Sequence, residues 1–361
     1  MKNDDDFFRP TLFEKLFIFF HLPFVLGALF IALFIGPLGN FLFYFAVSGN
    51  ATDAFFRTFF TVSIQGMELT TAVSSYWYLL AGNLLWYIFL FYVAFLVRYL
   101  RKRLIQSEPK LILLAPDGEK DVRRIFRIVS MIYPQLIIMM IFLLVYATSI
   151  PDMLGKGELS IFSTPVFILR SLVRSIMFGS VLWLFCAGLW GLSTFGKMQL
   201  KLKSYFEDSM LGTRELGSLS SSFSVPYFLG LALFTAQMTF SGLTGQTSLV
   251  NTISLLILIP MGITLFLAPL VSTHRRMLEA KKAEKALADT QMSGLITHIR
   301  ETGEEDDRNV FRLLLLETLE RKVKCIKTWP IDDLLLEKLL IIATSATAIL
   351  IAQVILTFLH V

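Results

Sequence analysis

Residues 76–103 read YWYLLAGNLLWYIFLFYVAFLVRYLRKR. Twenty-two residues without a charge, 76–97, are followed at once by Arg98, Arg101, Lys102 and Arg103. An α-helix rises about 1.5 Å per residue, so roughly 20 apolar residues cross the hydrocarbon core of a bilayer. Lys and Arg are retained on the inner face, so the cations mark the side on which the helix leaves. This stretch therefore reads as a membrane-spanning helix that exits inward.

The same pattern repeats on either side of it. Apolar runs suited to crossing a membrane lie at about 17–43, 76–97, 129–150, 176–195, 225–240, 249–271 and 339–359. The first is long and carries Gly36-Pro37, which predicts a kink or an early end there. Hydrophobic residues make up 55% of the 361 and charged residues 17%; a soluble domain has about 45–50% and about 25%. With the N-terminus placed inside, 29 of the 33 Lys and Arg fall in inner segments and 4, Arg57, Lys156, Arg170 and Arg174, fall in outer ones. The expectation is an all-α polytopic protein of the cell membrane with seven transmembrane helices, N-terminus inside, C-terminus outside and a cytoplasmic helical hairpin before the last span. Residues 1–271 form the six-span region, 272–337 the hairpin and 338–361 the seventh span. The run Asp4-Asp5-Asp6 and the length of the first apolar stretch argue for a permanent anchor over a cleaved signal.

The net charge of +5 belongs to membrane-proximal segments facing anionic lipid, so the lipid bilayer is the expected partner and nucleic acid is not. Arg98-x-x-Arg101-Lys102-Arg103 reads as a topology signal, with a polybasic regulatory site as the sharper alternative. The two cysteines, Cys186 and Cys325, fall in a span and an inner segment, and no disulfide framework is expected.

The connecting segments have distinct characters. Residues 51–75 hold Phe55, Phe56, Phe59 and Phe60 at helical spacing and read as a helix lying in the outer interface. Residues 157–175 look similar. Arg170 and Arg174 share a helical face there, either as an anion-attracting outer mouth or as side chains snorkelling to the headgroups. Residues 107–121 read as a Pro/Gly-bearing linker, and GSLSSSFS, 217–224, as a loop. In the inner hairpin, 273–300 is rich in helix formers, and Leu316, Leu319, Val323 and Ile326 form an a/d stripe. That stripe must bury against the first arm, another inner loop or a second subunit.

Chemistry inside the spans is sparse. Asn83, Gln135, Cys186, Gln237, Asn251 and Gln353 are the polar groups, and the central stretches of spans two to seven read as charge-free. His21, His274, His298 and His360 are scattered. The chain has no Walker loop, no glycine-rich dinucleotide turn and no HExxH. No cofactor, metal site or catalytic set is expected, and the chain reads as a non-enzyme. The last span is rich in small residues. Ala343, Ala346, Thr347 and Gln353 are its candidate pore or packing positions, since small faces permit close helix approach or line a conduit.

Pro269-x4-His274-x2-Met277-x3-Lys281, with Thr328-Trp329-Pro330-Ile331-Asp332 after the hairpin, resembles uncharacterised multi-pass membrane proteins of prokaryotes, especially archaea. The seven-span plan, with a helical inner region before the last span, is similar to that of insect odorant and gustatory receptor channels. That resemblance implies a tetramer whose last span lines the pore. The aromatic-rich motif of that family's last span is absent here, where residues 339–359 hold only Phe358. Two functions follow as expectations. One is a homo-oligomeric ion channel or receptor-like pore with spans six and seven as its core. The other is a non-conducting scaffold or sensor subunit that docks a cytoplasmic protein through the 272–337 hairpin.

Overall fold

The computed structural model describes residues 10–60, 73–148, 150–155, 160–202, 208, 210–242, 249–302 and 307–330, together with positions 337, 340, 344, 347 and 351. Every regular element among them is helical. In chain order these are α1 (Leu12–Phe19), α2 (Phe24–Ile35), α3 (Pro37–Ser48), α4 (Ala51–Phe60), α5 (Val73–Leu114), α6 (Glu119–Phe126), α7 (Ile132–Ala147), α8 (Ile150–Gly155), α9 (Ser163–Lys197), α10 (Arg214–Gly242), α11 (Leu249–Thr302) and α12 (Asp307–Lys324). Five stretches are long and apolar enough to cross a membrane: Phe24–Ser48, Trp77–Leu114, Glu119–Ala147, Ser163–Lys197 and Arg214–Phe240. Residues 249–271, the sixth expected span, form the first part of α11. Most of the seventh lies outside the described residues.

The core is organised around α9, which touches α1, α2, α3, α5, α6, α7, α10 and α11. Its glycines set the spacing. A Cβ on Gly179 would stand 3.2 Å from the Met139 amide, one on Gly188 2.5 Å from the Phe223 ring, and one on Gly191 2.7 Å from the Phe126 ring. Phe126, Phe195 and Phe223 are fully buried in this same cluster. Gly191→Val is therefore expected to lower stability by about 1–3 kcal/mol through overpacking. Gly294→Ala, on α11 where a Cβ meets open space, is expected to be neutral or mildly stabilising. Melting temperatures in detergent compare the two.

The first span departs from the expected 17–43. α1 is a separate helix, closed at its start by a capping box between Thr11 and Glu14 and at its end by His21 in the left-handed region, φ 53°. Pro23 then opens α2. The spanning stretch is Phe24–Ser48, broken at Gly36 because Pro37 has no N–H to continue the ladder. Gln135, buried at 2% exposure, accepts from the Leu12 amide (3.1 Å) and pins α1 to α7.

Two expected loops are helical. α5 runs through Pro109 to Leu114, so the linker shrinks from 107–121 to Ala115–Gly118. α10 begins at Arg214 and carries the serine run within it. In both cases packing overrides propensity. Leu104, Leu111 and Leu114 of α5 are buried with Leu216, Leu219 and Phe223 of α10. Along the serine run, Ser221 and Ser222 donate to the Ser218 carbonyl (2.7 and 2.8 Å) and Ser224 to that of Ser220 (3.0 Å), so buried hydroxyls are served by their own helix. Lys110 Nζ and Ser107 Oγ both bond Glu215 across the pair.

Two segments expected to lie in the outer interface are helical and pack on neighbouring helices. α4 folds back along α3, with Ala54 and Asp53 buried, and Arg57 pairs with Asp53 at 2.9 Å. Residues 163–175 are the first turns of α9 and carry Arg170 and Arg174 into the bundle. Both arginines thus belong to the same helix as the expected fourth span, 176–195, which itself carries no charge.

Candidate functional site: an arginine cluster inside the bundle

A helix break in the middle of a membrane span creates a specific need. The last carbonyls of α2 lose their i+4 amide donors, and lipid offers no replacement. Gly36 N still reaches the Ala32 carbonyl and Asn40 N the Gly36 carbonyl (2.9 and 3.0 Å). The Ile35 carbonyl is met by Arg170, through Nη2 at 3.0 Å and Nε at 3.3 Å. Nη2 also donates to Asn40 Oδ1. The guanidinium reaches this place because Gly39 has no side chain: a Cβ there would stand 2.7 Å from Arg170 Cδ.

The network continues across the bundle. Asn40 Nδ2 donates to Tyr87 Oη (3.2 Å), and Tyr87 Oη donates to the Thr58 carbonyl (2.8 Å). Asn83 Nδ2 donates to the Phe59 carbonyl (2.8 Å). Four segments thus meet at one level: the α2–α3 break, the end of α4, α5 at Asn83 and Tyr87, and the first turns of α9. Gly36 lies twelve residues from either end of Phe24–Ser48, which places this level about 18 Å along the helix from each end.

Arg174 follows one turn along α9. Its guanidinium lies over the Tyr146 ring (5.3 Å) and near the Trp86 ring (6.0 Å), and it hydrogen-bonds with Tyr146. Its Nε is buried and meets no acceptor. Among the described residues no carboxylate pairs with Arg170 or Arg174. Arg does not deprotonate in proteins, so the cluster holds two fixed cations, both half-buried. Such a site binds anions or satisfies carbonyls, and it does not shuttle protons. Among the described residues no group of three or more His, Cys, Asp or Glu side chains converges.

A second convergence lies midway along α11. His274 Nδ1 hydrogen-bonds with the Thr328 carbonyl (2.7 Å), and its ring stacks on Trp329 at 4.2 Å. Lys281 Nζ donates to the carbonyls of Lys324 and Ile326 (2.9 and 2.8 Å), supplying a cation where the C-terminal carbonyls of α12 need one. Met277 is fully buried with Met210, Leu211, Val323 and Ile326. The motif residues His274, Met277 and Lys281 therefore all grip the end of the hairpin. On α12 itself, Lys324 donates to Glu320 and holds that carboxyl below its usual range. The contribution of this exposed pair is present above the usual carboxylate range and fades as acid protonates Glu320.

The stripe proposed for assembly is largely used within the chain: Val323 and Ile326 are buried, and Leu316 and Leu319 are half-buried. Nearer its start, α12 leaves Phe311, Leu314 and Leu315 exposed. In the last span Thr347 is half-buried, while Ala343, Ala346 and Gln353 lie outside the described residues. Asn83 and Gln135 bond backbone groups of neighbouring segments, as polar residues holding helices together do.

Sequence reasoning treated Arg170 as an outer side chain and passed over Asn40 and Tyr87. The available signal was Gly36-Pro37 itself, because a mid-span break demands a donor from another helix. No protein-family model, curated protein or solved structure matches this chain.

Proposed function

We propose that this protein is a non-enzymatic, homo-oligomeric, receptor-like channel of the cell membrane. In this reading α11 and the last span form its conducting and assembly core, and the arginine cluster receives an anion approaching from the outer side. The observation that carries the proposal is Arg174, a permanent cation within the bundle whose Nε meets no acceptor and which has no carboxylate partner among the described residues. An ionisable group at such a place is costly and is retained for function. An anion is the chemistry that complements it.

The form of α11 supports the same reading. It is one helix of 54 residues, about 80 Å long, that joins the sixth expected span to the hairpin. The His274–Trp329 stack and the Lys281 contacts tie the hairpin's end to that helix, so movement of the inner hairpin and of the span is coupled.

A scaffold or sensor subunit is the second reading. It is favoured by the exposed Phe311, Leu314 and Leu315 on α12, outside the spanning segments.

Light scattering in detergent followed by liposome flux tests the proposal. The expected result is a discrete oligomer that releases chloride from vesicles. Arg174→Gln is expected to reduce that release about tenfold, and Arg174→Lys to keep most of it. A monodisperse monomer, or vesicles no more permeable than empty ones to chloride and potassium, rejects the pore. The scaffold reading would then be tested by partner capture with wild type against Phe311→Asp.

A further inference from the structure

The four cations that follow the span at 76–97 do not all face the same way. Arg101 turns inward, where its Nε pairs at 2.9 Å with Glu14, which is 4% exposed. Arg98, Lys102 and Arg103 turn outward with Phe95 on the same face of α5 and line a groove of about 540 Å³ against the start of α2. A topology signal needs only the number of cations near the membrane. It does not need three of them arranged around one groove.

The groove is built in two parts. Phe24, Val25 and Phe95 form its apolar wall, with Val25 55% and Phe95 43% exposed. Arg98, Lys102 and Arg103 form its basic rim, with no carboxylate among the lining residues. Two of the three cations lie over aromatic rings. Arg98 lies 5.0 Å from the centre of the Phe24 ring and Arg103 5.6 Å from that of Tyr99. Arg103 Nε also donates to Tyr99 Oη at 3.4 Å. A guanidinium stacked on a ring keeps its N–H groups free at the edge, so its fork is oriented before any ligand arrives. Lys102 forms no ion pair with a described residue.

We propose that the groove between the start of α2 and residues 95–106 of α5 binds one anionic phospholipid of the inner leaflet. The phosphate sits among Arg98, Lys102 and Arg103, and the acyl chains run along Val25 and Phe95. The position favours a lipid over a soluble anion, because the apolar wall belongs to the membrane-spanning segments and the basic rim begins where the uncharged run of α5 ends. Basic pockets beside membrane helices recognise such headgroups, and Arg matches phosphate oxygens two at a time. The proposal is independent of whether the protein conducts.

Native mass spectrometry of the full chain in detergent tests it, with phosphatidylglycerol or phosphatidylcholine added. Wild type is expected to retain one phosphatidylglycerol per protomer, at least tenfold in preference to phosphatidylcholine. Arg98→Gln/Lys102→Gln/Arg103→Gln is expected to lose that preference. A control of equal charge change on the exposed basic residues of α6 and the turn after it, Lys120→Gln/Arg124→Gln/Arg127→Gln, is expected to keep it. Lys102→Gln alone removes one exposed side chain and is expected to weaken retention about threefold, which tests the site in a folded protein should the triple variant lose its helical circular dichroism. Equal loss in both triple variants would reduce the effect to surface charge and overturn the site. Unchanged retention in Lys102→Gln and in a folded groove variant would also overturn it. Displacement of the lipid by excess inorganic phosphate would assign a free-anion site and overturn the lipid.

Discussion

Replacing Arg170 by alanine is expected to destabilise the protein by about 3 kcal/mol or more, the sum of two hydrogen bonds from a charged donor at roughly 1.5–3 kcal/mol each. The variant leaves the Ile35 carbonyl and Asn40 Oδ1 without their Arg170 donor, and a buried acceptor left unmet is costly. The loss spreads beyond the pair. Asn40 holds Tyr87 through Nδ2, and Tyr87 holds the end of α4 through the Thr58 carbonyl, so the α2–α3 break, α4 and α5 loosen together. Arg170→Lys keeps the charge but replaces a planar fork with a point donor, and is expected to recover part of the loss. Arg174→Gln is expected to melt close to wild type, because Arg174 lies over the Tyr146 and Trp86 rings and serves no broken helix end among the described residues. Thermal unfolding in detergent separates these outcomes. An Arg170→Ala protein that melts within about 1 °C of wild type would show that the break is satisfied by other means.

That contrast assigns different work to two arginines one turn apart. Arg170 is a positioning residue whose donors are committed to the chain itself. Arg174 faces the Tyr146 and Trp86 rings with its Nε buried and unbonded, so under the proposed function its loss is expected to appear in transport and not in stability. A purely structural pair would lose stability at both positions and show no specific effect on anion flux.

What could be read from the sequence and what could not follow from the range of the forces involved. The apolar run at 76–97 and the basic residues after it are one-dimensional signals, and α5 matches them. The extension of α5 through Pro109 and of α10 through Ser218–Ser224 runs against local propensity, and is won by burial of Leu104, Leu111 and Leu114 against Leu216, Leu219 and Phe223. No local pattern reports a partner helix that is more than a hundred residues away. The spacing of His274, Met277 and Lys281 places them close together on one face of a helix, which the sequence does show. Their grip on residues 324–329 depends on the hairpin closing. Arg170 was the hardest to place, because an arginine near a span end is usually a snorkelling one. Only the meeting of Gly36, Gly39 and α9 turns it into a donor to the α2–α3 break.

Arg101→Met is the companion test on the inner side, with an expected cost of about 3–5 kcal/mol, the range for removing one member of a buried ion pair. Glu14 is 4% exposed and Arg101 Nε stands 2.9 Å from its carboxylate. The same carboxylate accepts from Thr11 N and Thr11 Oγ1 (3.1 and 3.2 Å), so it both caps α1 and ties α1 to α5. Removing Arg101 leaves a carboxylate that is itself buried, at 4% exposure, without its cation. The double variant Glu14→Gln/Arg101→Met removes that uncompensated charge while keeping a side-chain oxygen for the Thr11 amide, and is expected to recover most of the loss. Chemical denaturation of wild type, Arg101→Met, Glu14→Gln and the double variant, monitored by circular dichroism, gives the four free energies of this cycle. If the double variant is as unstable as Arg101→Met alone, the cost lies in lost packing of the arginine stem and not in the stranded carboxylate. Because Arg98, Lys102 and Arg103 face the other way, the same double variant is expected to keep lipid retention. That outcome would separate the inward cation, which holds the fold, from the outward three, which hold the headgroup.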